Sequence, residues 1–262
     1  MESKIKIGII GITGRMGTLL ANKIEKIDYL ELIGGFSSKN SHPHYPNLSL
    51  NEIFSRADFV IDFSHHDLIP IVLNQALLQP KPLIICTTGW EETSKIQMDL
   101  NFLSTKAPLL ISSNTSIGAN LQLFLAKKIA QIIPPDFDVD IMEKHHRHKL
   151  DIPSGTALSL AKGIQESFLK KDIPLRLGIP PQTSGPREKN NLEIHAQRSG
   201  MIPGDHEVTF TSDLEQISIK HVAYNRELFA SGVLAILKWF LDKKPENGRY
   251  TMMDVLGLTN SL

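Results

Sequence analysis

The sequence predicts an α/β fold: a doubly wound parallel sheet, joined to a second α+β domain with a mixed, largely antiparallel sheet. Three observations carry this reading. Short β-branched runs alternate with helical patterns as far as residue 117, which argues for parallel strands with helices on both faces. A glycine-rich turn, Gly11-x-x-Gly14-x-x-Gly17, joins the first strand to the first helix. Beyond residue 117, three segments of period two follow one another, as in a sheet with one covered face. At 262 residues the chain has material for two modest domains, each with a core.

Each element has its own signal. Lys4 to Ile10 is an apolar β-branched run, read as a buried strand, after which Leu19, Leu20, Ile24 and Ile27 recur at helical spacing. Leu30 to Phe36 is the second strand. Ser49 caps a short helix through Ala57, and Phe59 to Phe63 is the third strand. Leu68 to Leu78 is helical, Leu83 to Cys86 a strand, Glu91 to Leu103 a helix and Leu109 to Ser112 the fifth strand. In the second part, Asn120 to Ile133 is helical, Asp138 to Met142 alternates as a half-buried strand, and Thr156 to Leu169 is helical. Ile173 to Asn191, rich in proline, glycine and polar residues, reads as a long loop. Leu192 to Arg198, His206 to Ser212 and Gln216 to Val222 form a meander-like sheet. The last helix, Glu227 to Leu241, has one apolar face and is expected to pack back on the first domain. The domains are therefore 1–116 with 227–262, and 117–226.

Composition excludes several classes. Lys plus Arg equals Asp plus Glu at 28 each, so no bulk field recruits nucleic acid or a membrane surface. The single cysteine, Cys86, excludes an intramolecular disulfide framework and fits a reducing compartment. The N-terminus shows no signal-peptide pattern, and no apolar run approaches the roughly 20 residues of a membrane span. A cytoplasmic, soluble protein is expected.

The glycine turn lies between strand and helix, the context a dinucleotide site requires: glycines let the backbone approach a pyrophosphate, whose charge meets the helix N-terminus. NAD sites place an acid at the end of the second strand, on the ribose 2′-hydroxyl. Here the chain reads Ser37-Ser38-Lys39, which suits a 2′-phosphate and favours NADPH, with NADH left open. Thr87-Thr88-Gly89 and Ser113-Asn114-Thr115-Ser116 follow strands four and five, where a doubly wound sheet binds ligands.

The chemistry lies farther on. Glu143 is followed by the basic run Lys144-His145-His146-Arg147-His148-Lys149, and then by Asp151-Ile152-Pro153-Ser154-Gly155-Thr156-Ala157. A run of imidazole, guanidinium and ammonium groups repels itself unless an anion sits against it. The Ser-Gly-Thr opening of a helix supplies a second anion-attracting device, its free N–H groups and dipole. Together they predict a site for a small polycarboxylate. His145 is the natural proton donor or acceptor and Lys149 a fixed charge or second acid. Their spacing of four puts them on one face only if the segment is helical. A metal site built from His145, His146 and His148 is disfavoured, because neighbouring side chains diverge and no other ligand completes a set.

GITGRMG after the first strand, TTGW after the fourth, SSNTSIGANL after the fifth and EKHHRHKLDIPSGTA together resemble the dihydrodipicolinate reductases. RSGMIPGDHEVTF (Arg198 to Phe210) and MMDVLGL (Met252 to Leu258) fit the same family, so the resemblance spans nearly the whole chain. It implies a Rossmann-type nucleotide domain and a substrate domain whose mixed sheet builds a homotetramer. It implies His145 as catalytic proton donor or acceptor and Lys149 as second proton donor. His146, Ser154, Gly155 and Thr156 become substrate-carboxylate contacts. The cofactor contacts become Gly11, Ile12, Thr13, Gly14, Arg15 and Met16; Cys86, Thr87 and Thr88; and Ser112, Ser113, Asn114 and Thr115, to which the residue reading above adds Ser37, Ser38 and Lys39.

Three positions depart from the family's pattern: Ser37-Ser38 replace Glu-Arg, Cys86 stands where glycine is common, and Thr115 replaces a frequent Phe beside the nicotinamide. The implied reaction is NAD(P)H-dependent reduction of a cyclic dicarboxylate on the diaminopimelate route to lysine. Two rivals make distinct demands. A semialdehyde dehydrogenase needs a thiolate from Cys86, and a non-catalytic NADP sensor needs neither His145 nor Lys149.

Overall fold

A computed structural model describes residues 3–38, 41–178 and 186–259, and within them the chain forms two compact units. The first comprises Met1–Thr115 and Glu227–Thr259, the second Ser116–Arg226.

The first unit runs β1 (Ile5–Ile10), α1 (Arg15–Ile24), β2 (Leu30–Phe36), α2 (Leu50–Arg56), β3 (Phe59–Asp62), α3 (Ile69–Leu78), β4 (Leu83–Ile85), α4 (Ser94–Ser104) and β5 (Pro108–Ile111). The second follows with α5 (Ile117–Ile132), β6 (Asp138–His145), α6 (Gly155–Leu169), β7 (Arg176–Gly178), β8 (Asn191–Arg198), β9 (Gly204–Thr211) and β10 (Gln216–Ala223). The chain then returns to the first unit as α7 (Glu227–Lys243), β11 (Gly248–Tyr250) and α8 (Met252–Val255).

The first sheet is wholly parallel, in the order β11-β5-β4-β3-β1-β2. Winding reverses between β1 and β3, the switch point at which such sheets open a crevice beyond their carboxyl ends. One apolar cluster joins Ile7 and Ile9 of β1, Leu20 and Ile24 of α1, and Val233, Leu237 and Phe240 of α7. A second, with Phe54, Val72, Leu83 and Leu100, fills the other face of the sheet. Each such side chain, fully withdrawn from water, contributes about 1.5–3 kcal/mol. Thr115 and Gly232 fix α7 closely: a Cβ at Gly232 would lie 1.8 Å from the Thr115 carbonyl oxygen.

The second sheet has the order β10-β9-β6-β8-β7 and is mixed: β6 pairs antiparallel with β9 but parallel with β8. The meander expectation is corrected here. β8 and β9, consecutive in sequence, are not neighbours, because β6 lies between them; alternation marks a half-covered strand without naming its partner. The expected loop of 173–191 contains β7 at its start, and 179–185 fall outside the described residues. Helices α5 and α6 cover one face of this sheet, burying Val139 and Ile141 of β6 with Phe168 and Phe210. Among the described residues no helix is long and apolar enough to cross a membrane.

Candidate active site

At the nucleotide end, Gly11 closes β1 with φ +82°, and a Cβ there would meet the Phe63 carbonyl oxygen at 2.5 Å. A Cβ at Gly17 would lie 2.2 Å from the Gly11 oxygen. The turn is thus a cradle that side chains would fill. The Gly11 and Ile12 N–H groups are spent on the Phe36 carbonyl, and Ile12 is fully buried. Gly14, the N-cap of α1, brings no side chain to the helix start, so the amides of Arg15 and Met16 keep their positive end open to an anion. These features fit a dinucleotide pyrophosphate.

Thr13 Oγ1 shares a 2.6 Å hydrogen bond with Ser37 Oγ, joining the glycine turn to the end of β2. Ser38 is exposed, and Lys39 lies outside the described residues. At the ends of β3 and β4 the sequence reading missed Asp62. This fully buried carboxylate accepts from Thr87 Oγ1 at 2.7 Å and from the Ser64 amide at 3.0 Å. Burial raises its carboxyl, partly offset by those hydrogen bonds. Thr87 is thereby committed to Asp62, while Thr88 is exposed. Cys86 is buried, and burial together with the Asp62 charge pushes its thiol well up. That is the reverse of what a thiolate nucleophile needs.

Beyond β5, Ser112 donates to the Asn114 carbonyl and Ser113 is exposed. Thr115 faces the last helix of the first unit. It is buried, and its hydroxyl donates to the Phe229 carbonyl at 2.7 Å, so its side chain anchors α7.

At the chemical end, β6 runs on to His145. Its covered face reads Val139, Ile141, Glu143, His145, so the apolar stripe ends in a carboxylate and an imidazole. His145 Nδ1 is hydrogen-bonded to Glu143 Oε2. Glu143 Oε1 accepts from Arg198 Nη2 at 2.8 Å and from the Ser154 amide at 3.2 Å. Burial alone would raise the Glu143 carboxyl, but the hydrogen bonds and charges of His145 and Arg198 bring it down to about 2. Ser154 Oγ caps α6 by accepting from the Ala157 amide and also bonds His206 Nε2 at 3.0 Å. His206 packs edge-on to His145, ring centroids 5.0 Å apart, and burial with the His145 charge lowers it to about 4.

Several expectations shift here. Ser154 is buried, and its hydroxyl is engaged by His206 and the Ala157 amide. Gly155, the first residue of α6, is exposed, and a Cβ there would have nothing within 4 Å; Thr156 is half-buried. His145 and Lys149 do not share a helical face: His145 ends a strand, and a turn follows in which the Lys149 amide donates to the His146 carbonyl. Lys149 Nζ pairs with Asp151 at 2.9 Å. Arg226, unnoticed in the sequence, lies 3.4 Å from His146 Nε2; burial and that guanidinium lower His146. Glu143, His145 and His206 have ligand atoms within 4.8 Å of one another, but the bonds of Glu143 to Arg198 and His145 already account for the cluster; His146 and His148 join no such group among the described residues.

Comparison with known proteins decides the family. The family model of "Dihydrodipicolinate reductase, N-terminus" matches residues 5–115, and that of "Dihydrodipicolinate reductase, C-terminus" matches 118–256. The chain belongs to the dihydrodipicolinate reductase family. It is 40% identical over 253 residues to the 4-hydroxy-tetrahydrodipicolinate reductase of Alkaliphilus oremlandii, covering 95% of this chain and 98% of that one. The Chlamydia caviae enzyme of the same name is 37% identical over 94% of this chain and 96% of its own. A dipicolinate-bound dihydrodipicolinate reductase from Paenisporosarcina sp. TG-14 has the same fold, with TM-score 0.77 at 23% identity over 95% of this chain and 97% of that chain. Membership makes the chain an oxidoreductase using a nicotinamide cofactor.

The sequence reading missed Asp62 at the nucleotide end and, in the second unit, Glu143, Arg198, His206 and Arg226 in the network around His145 and His146. For Glu143 a signal was present. The period of β6, carried past Met142, puts Glu143 and His145 on the covered face.

Proposed function

We propose that the protein reduces 4-hydroxy-tetrahydrodipicolinate (dihydrodipicolinate) to tetrahydrodipicolinate in the diaminopimelate route to lysine, in the cytoplasm, with His145 and Lys149 handling protons. The observation that carries the reading is His145 at the end of β6, beside the N-terminus of α6 and the basic run. A dianionic ring needs charge-assisted donors at each carboxylate, worth roughly 1.5–3 kcal/mol apiece. The amides of Gly155 and Thr156, the Thr156 hydroxyl, His146 and Arg226 are the donors we assign. Ser154 acts by capping the helix.

Loss of the C4 hydroxyl as water leaves a conjugated cyclic imine, and a bound nicotinamide would supply the hydride to its C4. The matching proton comes from the protein. A carboxylate only accepts hydrogen bonds, so His145 presents Nδ1–H to Glu143 and leaves Nε2 to exchange the proton. Lys149, held by Asp151, is the second proton donor. We assign the pyrophosphate to the glycine turn and α1, and prefer NADPH over NADH because no acid stands at Ser37 or Ser38. We further propose a homotetramer assembled through the uncovered face of the mixed sheet, where Met142 and Val222 are exposed; sedimentation should return four times the 29.2 kDa chain mass.

The test is oxidation of NADPH or NADH by the purified protein given fresh dihydrodipicolinate synthase product. Product-dependent oxidation is expected, and His145→Ala should lower kcat by about 10²–10⁴ with NADPH binding intact. Lys149→Ala should act similarly. Tight nucleotide binding without turnover would move the sensor reading ahead.

A further inference from the structure

Glu143 is a fully buried carboxylate with no apolar reason to be where it is, and it is occupied on both oxygens. Oε2 faces His145 Nδ1; Oε1 takes the Arg198 guanidinium and the Ser154 amide. It thus ties together three features: the imidazole assigned to proton transfer, the strand-end arginine of β8, and the N-cap of the helix assigned to the substrate carboxylates. Arg198 is held in turn by the Asp151 and Gln197 carbonyls. The Arg198 guanidinium and the Ser154 amide can only donate, so Oε1 has to be an acceptor.

We propose that Glu143 is a positioning residue for the reduction: it fixes His145 as the Nδ1–H tautomer, aims Nε2, and holds that nitrogen in register with the α6 N-terminus. This rests on the assignment of His145 in the proposed function. Arg198 makes the arrangement work. With a guanidinium on Oε1, the carboxylate stays ionised whether His145 is charged or neutral, so the imidazole gains and loses its proton without passing it to Glu143. Gly204 completes the fit, since a Cβ there would come within 3.2 Å of His145 Nε2 and crowd the working nitrogen.

The decisive variant is Glu143→Gln, which keeps shape but presents an amide that donates as well as accepts. Its kcat is expected to fall by about 10² or more with the Kd for NADPH unchanged, because a mis-set tautomer disables a proton donor without touching the nucleotide. Nitrogen NMR of histidine-labelled protein, with the His145 signal identified by its loss in His145→Gln, should show Nδ1–H in the parent and Nε2–H in Glu143→Gln. Glu143→Asp retains an acceptor-only carboxylate and should keep Nδ1–H and recover at least about tenfold of the lost kcat. Turnover in Glu143→Gln within threefold of the parent overturns the proposal. So does a loss of turnover with the tautomer unchanged, which marks a purely structural role. If Glu143→Gln does not fold, Glu143→Asp decides, and an Asp variant that switches tautomer at undiminished kcat overturns it. A parent-like kcat in His145→Gln instead removes His145 from the mechanism, an outcome distinct from all of these.

Discussion

His206 is a base kept neutral by its surroundings, and that has a consequence for stability. Its folded value of about 4 lies below the ordinary 6.5. The unfolded chain therefore takes up a proton there near pH 6.5, while the folded chain resists until about pH 4. Stability from this residue is complete above 6.5 and declines as pH falls from 6.5 to 4, by about 3 kcal/mol at most. Glu143 adds a second window, its contribution present above 4.5 and lost toward 2. Urea denaturation at pH 7 and pH 5 should show the parent losing more stability than His206→Gln, which keeps a hydrogen-bonding group for Ser154. Parallel losses in the two proteins would exclude His206 as the source. At this scale the sequence was only partly legible. His145 and Lys149 stood out as chemistry-bearing residues, but the anion that the basic run demands turned out to include Glu143, the residue that opens it. Asp62 and His206 gave no signal, because burial is a property of the assembled sheet.

Elements tell the same story through their periods. The parallel sheet was readable because each strand is a compact apolar run with a glycine or polar stop, and the βα turn at Gly11 carries its own backbone demand. Neighbour order in the second sheet was not readable, since β8 pairs with β6, more than forty residues earlier, and local alternation holds no record of that. The glycine turn permits a sharp test. Gly17→Ala gains helix propensity, worth at most about 1 kcal/mol, yet places a Cβ 2.2 Å from the Gly11 carbonyl oxygen. Gly11 cannot retreat, being pressed against Phe63 on its other side. The clash wins: Gly17→Ala should lose about 1–3 kcal/mol of stability and weaken NADPH at least about tenfold, read by denaturation and fluorescence titration. Gly155→Ala, with open space around its Cβ, is the control and should fold as stably as the parent. Equal NADPH affinity in Gly17→Ala and the parent would contradict the cradle.

The molecule as a whole carries no net charge, so attraction of an anionic substrate has to be local. Part of the basic run is already neutralised from within: Glu143 faces His145 and Arg198, and Asp151 faces Lys149. What remains for a dicarboxylate is the open end of α6 and the cations around His146, including Arg226. Charges that hold a bound anion at the surface of a site are screened as the Debye length shrinks from about 10 Å at 0.1 M salt to about 3 Å at 1 M. The proton transfer proposed for His145 would take place among groups withdrawn from solvent, where salt has little reach. The two effects therefore separate. Between 0.1 and 1 M KCl the KM for the dicarboxylate should rise several-fold, while kcat at saturating substrate changes by less than about twofold. Arg226→Gln should raise KM at low salt and flatten its salt dependence. A KM indifferent to salt would show that hydrogen bonds from α6 alone hold the substrate, and the surrounding cations would have to be assigned another task.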